Sequence, residues 1–314
     1  MAFTAKPRTF TASITEIRLG NGPNMITLGG QNVSPLCYFD NPAKNPPAVG
    51  VEITDTGLDC AGLPVLAAYY SGAGSPAEWA KKAAQMEGVD FICLRFEGAE
   101  PGGLNRSPSD CAAIAKEVVE SIDLPLAIAG CKNVEKDAEL FPACAEACQG
   151  KNVLFLSARE ENYKTVGLSV ALAYGQKVGA ESSVDINLAK QLNVLMTQIG
   201  IPIQSIVMDI GSAAAGYGFE YVSSTMDRIK AAALEKSDNM LQMPIISPIA
   251  AEAWSVKEVT MPESVISDWG SQEDRGIRME TVTASACLTS GADAVILRHP
   301  SSVRTIAALI AALI

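Results

Sequence analysis

Two carboxylates stand where acid–base or hydrogen-bonding chemistry would need them. Asp209 closes the β-branched apolar run Ser205–Ile210. A loop carrying Gly211, Gly216 and Gly218 follows, and then an amphipathic helix begins. Asp185 lies in Ser182–Asn187, which reads as the preceding strand, with Asn187 at its end. Acids ending consecutive parallel strands would approach each other, where they could hydrogen-bond a heterocycle or hold a proton. Strand-end acids serve equally to cap loops or to pair with an arginine such as Arg95 or Arg298, and spacing alone does not choose. Gly216-Tyr217-Gly218 would offer backbone N–H groups to a phosphate or amide, and Tyr217 a face for a flat ligand. Ordinary βα turns use glycine in the same way, and a loop tyrosine often packs on its own helix.

Other chemistries lack their residues. With one histidine, His299, neither a zinc hydrolase nor a Ser-His-Asp triad is expected. His299 could touch a ligand, although an imidazole satisfied by backbone groups is the commoner outcome. Lys132, Lys136 and Lys164 fall in polar helix starts, whereas a Schiff-base lysine needs burial to lower its pKa. The eight cysteines form no C-x-x-C pair, so free thiols in a reducing compartment are expected. A net charge of −11 argues against nucleic acid or an anionic membrane as partner. The start, MAFTAKPRTF, has no apolar signal-peptide core, and Thr305–Ile314 is shorter than the roughly 20 residues that cross a bilayer. A cytoplasmic protein is the expectation.

These residues need a frame. Short apolar strands are predicted at 50–54, 90–96, 124–130, 152–158, 182–187, 205–210, 243–248 and 292–299. Helices are predicted between them at 76–86, 107–121, 133–149, 162–178, 187–199, 218–235 and 272–290, with a last one at 300–314. Eight strands each followed by a helix predict an α/β fold, a (β/α)8 TIM barrel. Two strand-like pieces around Gly20-Asn21-Gly22-Pro23 predict a β-hairpin before it. Residues 1–47 would be hairpin and linker and 48–314 the barrel, in one domain overall. An open doubly wound sheet is the rival, but neither G-x-G-x-x-G nor G-x-x-x-x-G-K-[ST] is present. In a barrel, function sits at the carboxyl ends of the strands. Those ends hold Thr54, Asp55, Arg95, Glu97, Gly130, Ser157, Arg159, Asp185, Asn187, Asp209, Gly211, Ser247, Arg298 and His299. Two connections, 55–75 and 250–271, are long enough to cover or dock something.

Several stretches together resemble the small (delta) subunit of the corrinoid iron–sulfur protein of the acetyl-CoA decarbonylase/synthase system. They are GVDFICLRFEGAEP (88–101), GCKNVEKD (130–137), ENYK (161–164), VDINLAKQLNVL (184–195) and MDIGSAAAGYGFEYVSSTMDRIK (208–230). EAWSVKE (252–258), DRGIRMETVTA (274–284) and ILRHP (296–300) complete the set. The resemblance covers almost everything from about Val51 onward. It implies a barrel similar to pterin-dependent methyltransferases, working as half of a heterodimer in the reductive acetyl-CoA (Wood–Ljungdahl) pathway. The large (gamma) subunit would carry the [4Fe-4S] cluster and the corrinoid domain, and this chain would shelter the corrinoid's upper face. A methyltetrahydropterin methyltransferase and CO dehydrogenase/acetyl-CoA synthase are the further partners implied. The alternative is a self-sufficient pterin-dependent methyltransferase. Where the family runs to Pro and Gly after the strand-six acid, this chain has Ser212-Ala213-Ala214-Ala215. Of the loop, Asp209, Gly216, Tyr217 and Gly218 are therefore the residues carried over as lining. The candidate cofactor-binding set is Asp185, Asn187, Asp209, Gly216, Tyr217, Gly218, Ser247 and His299, with no catalytic residue or metal ligand assigned to this chain.

Overall fold

The computed structural model describes Lys6, residues 8–38 and residues 40–314. Residues 1–5 and 7, part of the stretch MAFTAKPRTF in which no signal-peptide core is expected, lie outside the described residues. Eight parallel strands close into a barrel: β3 (Ala48–Thr54), β4 (Phe91–Arg95), β5 (Leu126–Ala129), β6 (Leu154–Ala158), β7 (Lys177–Glu181), β8 (Ile206–Asp209), β9 (Ile245–Pro248) and β10 (Ala294–Leu297). They pair in chain order, and β10 returns to β3. A short antiparallel pair precedes them, β1 (Ile17–Leu19) with β2 (Ile26–Leu28). The predicted TIM barrel with an N-terminal hairpin is the fold observed.

Alternation decides what each strand shows to the interior. Phe91, Cys93, Ala127, Leu154, Val207, Ile246 and Ala294 form an inner apolar cluster, separate from the larger one between strands and helices. Ile17, Leu19 and Leu28 of the hairpin join that inner cluster, so β1 and β2 close the amino-terminal end of the barrel. Asn152 fixes the hairpin there, donating to the carbonyls of Arg18 and Gly20 at 2.9 and 3.0 Å.

The helices begin where sequence signals place them. Ser75, Ser107, Asn133 and Ser271 each accept a backbone N–H as N-caps of α2 (Pro76–Ala83), α3 (Pro108–Ser121), α4 (Val134–Ala147) and α10 (Gln272–Ser290). The long connections are partly helical. Residues 55–75 carry α1 (Pro64–Tyr70), and 250–271 carry α8 (Ala250–Ala253) and α9 (Lys257–Thr260). The barrel helices α6 (Ile186–Gln198), α7 (Phe219–Glu235) and α11 (Pro300–Leu313) complete the ring.

One strand is misplaced by the sequence pattern. The helix expected to reach Val178 stops early, as α5 (Tyr163–Gly167) followed by a π-helical turn, Leu168–Ala173. The fifth barrel strand is KVGAE at 177–181, and 182–187 is the turn leading into α6. Small residues hide this strand because it packs closely on β6: a Cβ added at Gly179 would lie 2.5 Å from Leu156. Val184 and Ile186 imitate a strand without being one. Val184 has φ 64°, a conformation that costs a β-branched residue of order 1–3 kcal/mol, and its N–H bonds to the Ile210 carbonyl at 2.7 Å.

Candidate functional site

Above the inner apolar layer, the inward positions turn charged. Glu52 stands inside β3, fully buried, between two guanidiniums. Arg95 Nε donates to Glu52 Oε2 at 2.7 Å and Arg298 Nη2 to Oε1 at 2.9 Å. Burial would raise the Glu52 carboxyl, but the two arginines outweigh it and hold it below the ordinary value. A buried carboxylate shared in this way fixes both arginines in the mouth.

Asp209 faces Arg95 from the opposite wall, since three strands separate β4 from β8 in either direction. Its Oδ2 accepts from Ser157 Oγ at 2.7 Å and its Oδ1 from Gly211 N at 3.0 Å. Burial, with the Glu181 charge beside it, pushes the Asp209 pKa from 3.8 to about 6. Glu181 is in turn paired with Arg159 at 2.8 Å. The acid neighbouring Asp209 is therefore Glu181, the true end of the preceding strand.

Arg95, Ser157, Arg159, Glu181 and Asp209 border an open cleft of about 80 Å³, room for a small group rather than for a whole cofactor. Its remaining wall includes Ala129, Gly130, Leu156 and Pro248, and a second hollow at Glu97, Glu100 and Cys131 adjoins it through Arg95 and Lys132. Gly130 is a spacing device: an added Cβ would lie 2.1 Å from Asp137 Oδ1. That oxygen accepts from Cys131 N at 2.8 Å and ties the end of β5 to α4. Burial raises the Cys131 thiol to about 11, so it stays protonated at neutral pH.

The predicted site residues separate into three groups. Asp209 is in the cleft. Gly216, Tyr217 and Gly218 lie on the loop beyond it, where Gly216 and Gly218 have φ 88° and 86°, and the Tyr217 hydroxyl bonds to Glu258 of the long loop after β9. Asp185, Asn187, Ser247 and His299 are outside the cleft. Asp185 caps α6, accepting from Asn187 N at 2.7 Å, and both residues are exposed. The expected Asp185–Asp209 pair is thus replaced by Glu181–Asp209. Ser247 shares the outward parity of Ile245 and is fully buried toward Cys287 of α10. His299 is buried as well. Its Nδ1 accepts from Ser301 N at 3.1 Å as the cap of α11, its Nε2 meets Glu273 Oε1 at 3.0 Å, and its ring stacks on Trp254.

The sequence does not single out Glu52, Glu181 or Asp137; it offers Arg95 only as an arginine for a strand-end acid, and Ser157 and Arg159 as strand-end residues without a role. Glu52 carries a usable signal, a lone charge in the apolar strand AVGVEIT. Arg275 also shapes the mouth: its guanidinium donates to the carbonyls of Glu258 at 2.6 Å and Gly270 at 2.5 Å, and to that of Met261. The loop is wrapped around it.

In architecture the chain is similar to dihydropteroate synthases. It matches the Xanthomonas albilineans enzyme solved with 4-aminobenzoic acid at TM-score 0.55 and 13% identity, covering 95% of this chain and 98% of that one. The Burkholderia cenocepacia enzyme matches at TM-score 0.54 and 13% identity, covering 96% and 97%. That likeness defines the class of barrel. Residues 16–309 match the CO dehydrogenase/acetyl-CoA synthase delta subunit family, and the chain belongs to it. It is 32% identical over 305 residues to the acetyl-CoA decarbonylase/synthase complex subunit delta 1 of Methanosarcina thermophila, spanning 94% of this chain and 69% of that one. It is 31% identical over 304 residues to subunit delta of Methanothermobacter thermautotrophicus, spanning 96% and 76%. Among the described residues no helix is long and apolar enough to cross a membrane.

Proposed function

We propose that this chain is the small subunit of a heterodimeric corrinoid iron–sulfur methyl carrier. Its barrel mouth caps the corrinoid, and the pair passes a methyl group from methyltetrahydropterin to acetyl-CoA synthase. The large subunit holds the corrinoid and the [4Fe-4S] cluster. Membership in the delta-subunit family, and relatives named as parts of a complex, support a role alongside partners.

The observation that carries the cap is the character of the mouth. Its ionisable groups are tied to one another, as Glu52 with Arg95 and Arg298, and Glu181 with Arg159. The cleft is bordered by fixed polar groups and short apolar side chains. The donor set suits covering a corrinoid better than ligating its cobalt: His299 is committed to Glu273 and Ser301, and Cys131 is held as a thiol. When bound, the corrinoid supplies the cobalt that carries the methyl group. This chain's part is to exclude water and orient the ring, for which shape and dryness matter more than acid–base groups. In the cytoplasm the heterodimer would meet the methyltetrahydropterin methyltransferase and CO dehydrogenase/acetyl-CoA synthase in turn.

A second function draws on Asp209, a buried acid with a raised pKa on the cleft wall. It would hydrogen-bond a pterin, and the barrel itself would transfer the methyl group. The fold neighbours, dihydropteroate synthases, are pterin enzymes by name. Titrating the chain with methyltetrahydrofolate and with hydroxocobalamin, each with and without the large subunit, separates the two. Corrinoid retained by the heterodimer, with no turnover of methyl-pterin by this chain alone, is the expected result. Tight pterin binding and turnover by the isolated chain would overturn the carrier role.

A further inference from the structure

On the strength of the capping role, we infer that Arg95 and Asp209 form a two-ended amide site. Arg95 donates to the carbonyl oxygen, and Asp209 accepts from the N–H, of a side-chain carboxamide on the upper rim of the corrinoid.

Arg95 is oriented before any ligand arrives. Its side chain is 9% exposed and its Nε–H is committed to Glu52. Its other N–H groups have no hydrogen-bond partner among the described residues, and it borders both the main cleft and the hollow beside it. A guanidinium carries five N–H donors in a rigid fork, so the edge left over is a ready donor. Asp209 is equally fixed, by Ser157 and Gly211, and each of its oxygens can accept once more. Pre-oriented groups lose little freedom on binding.

The two ends differ in sign, and that sets the ligand. A ligand meets the Asp209 carboxylate at one end and the unpaired edge of Arg95 at the other, while other charges on the lining are paired, Arg159 with Glu181 and Lys132 with Glu252. A neutral group with an acceptor at one side and a donor at the other satisfies both, and Ala129, Leu156 and Pro248 add apolar contact to an otherwise polar lining. Acetamide chains project from the upper face of a corrin ring, the face assigned to this barrel. A pterin lactam has the same donor–acceptor edge, so the experiment separates the two sources.

The heterodimer, stripped of corrinoid, is reloaded with dicyanocobinamide, which bears amides, or with cobyrinic acid heptamethyl ester, which can accept hydrogen bonds but not donate them. Affinity is read by equilibrium dialysis and the visible spectrum, and folding by circular dichroism. The expected result is an amide preference of about tenfold, the worth of one well-placed hydrogen bond. Asp209→Ala should reduce it to near parity without weakening ester binding. Arg95→Lys, which keeps the charge beside Glu52 but not the fork, should weaken both corrinoids. Equal affinity of the unmodified heterodimer for amide and ester, or an undiminished preference in Asp209→Ala, overturns the inference and leaves the cap standing. Failure of both corrinoids to bind overturns the cap itself. Displacement of bound cobinamide by tetrahydrofolate, lost in Asp209→Ala, would overturn the inference by assigning the edge to a lactam.

Discussion

Asp209 and Glu181 are register partners on adjacent parallel strands, Asp209 held by Ser157 and Gly211 and Glu181 by Arg159. Two acids held side by side in a buried wall raise the cost of ionising both. Burial adds to that cost at Asp209, whose carboxyl is fully enclosed. Asp209 is left as the acid that takes up a proton near neutral pH.

That asymmetry predicts a pH dependence. The Asp209 pKa is raised in the fold, from 3.8 to about 6. Its contribution to stability is therefore full below about pH 4 and is lost as pH rises through about 6. The difference spans roughly 3 kcal/mol at 1.36 kcal/mol per pH unit. Asp209→Asn, which cannot ionise and can still accept from Gly211, should melt at a temperature that varies less between pH 5 and pH 8. At pH 8 it should be the more stable protein. Thermal unfolding of both chains across that range checks the sign, and equal slopes would contradict it.

The Glu52 site predicts a larger loss. Replacing Glu52 with Gln leaves Arg95 and Arg298 in a buried wall without their carboxylate. Breaking a buried pair from one side costs about 3–5 kcal/mol. Urea unfolding should show a loss of that size, and Glu52→Gln with Arg298→Met should recover part of it, because one uncompensated charge is then removed.

Gly130 should tolerate no side chain. A Cβ there would meet Asp137 Oδ1 at 2.1 Å and displace the carboxylate that accepts from Cys131 N. Gly130→Ala should cost about 1–3 kcal/mol by overpacking. It should also expose the Cys131 thiol to Ellman's reagent faster than in the unmodified chain.

The long loop after β9 is a fixed wall rather than a moving lid, because Arg275 holds three of its carbonyls. Arg275→Ala should free residues 258–270, seen as faster amide exchange and new protease cleavage there, with the barrel strands unaffected. Retained protection in the loop would contradict this.

The barrel was legible where strands are β-branched, as in IVMD and AVIL, and where Ser or Asn caps announce helices. It was illegible at KVGAE, where Gly179 has no side chain because Leu156 of β6 lies so near. That single displacement hid Glu181 and lent Asp185 a partner it does not have. Parity would have removed Ser247, since Asp209 shares a face with Val207 whereas Ser247 shares one with the outward Ile245. Pro300 at the first helical position marks the start of α11 and so His299 as its cap, whereas nothing in the sequence shows that its other partner, Glu273, comes from another helix. Arg95 was visible at a strand end, but its free edge appears only once Glu52 is known to hold the other.

The most direct test is amide hydrogen exchange on the heterodimer before and after loading with hydroxocobalamin. The cap predicts new protection in this chain at 95–100, 130–133, 157–160 and 209–218, around the mouth, with no change in the hairpin at 17–28. Protection absent from the mouth, or confined to the outer helices, would contradict it.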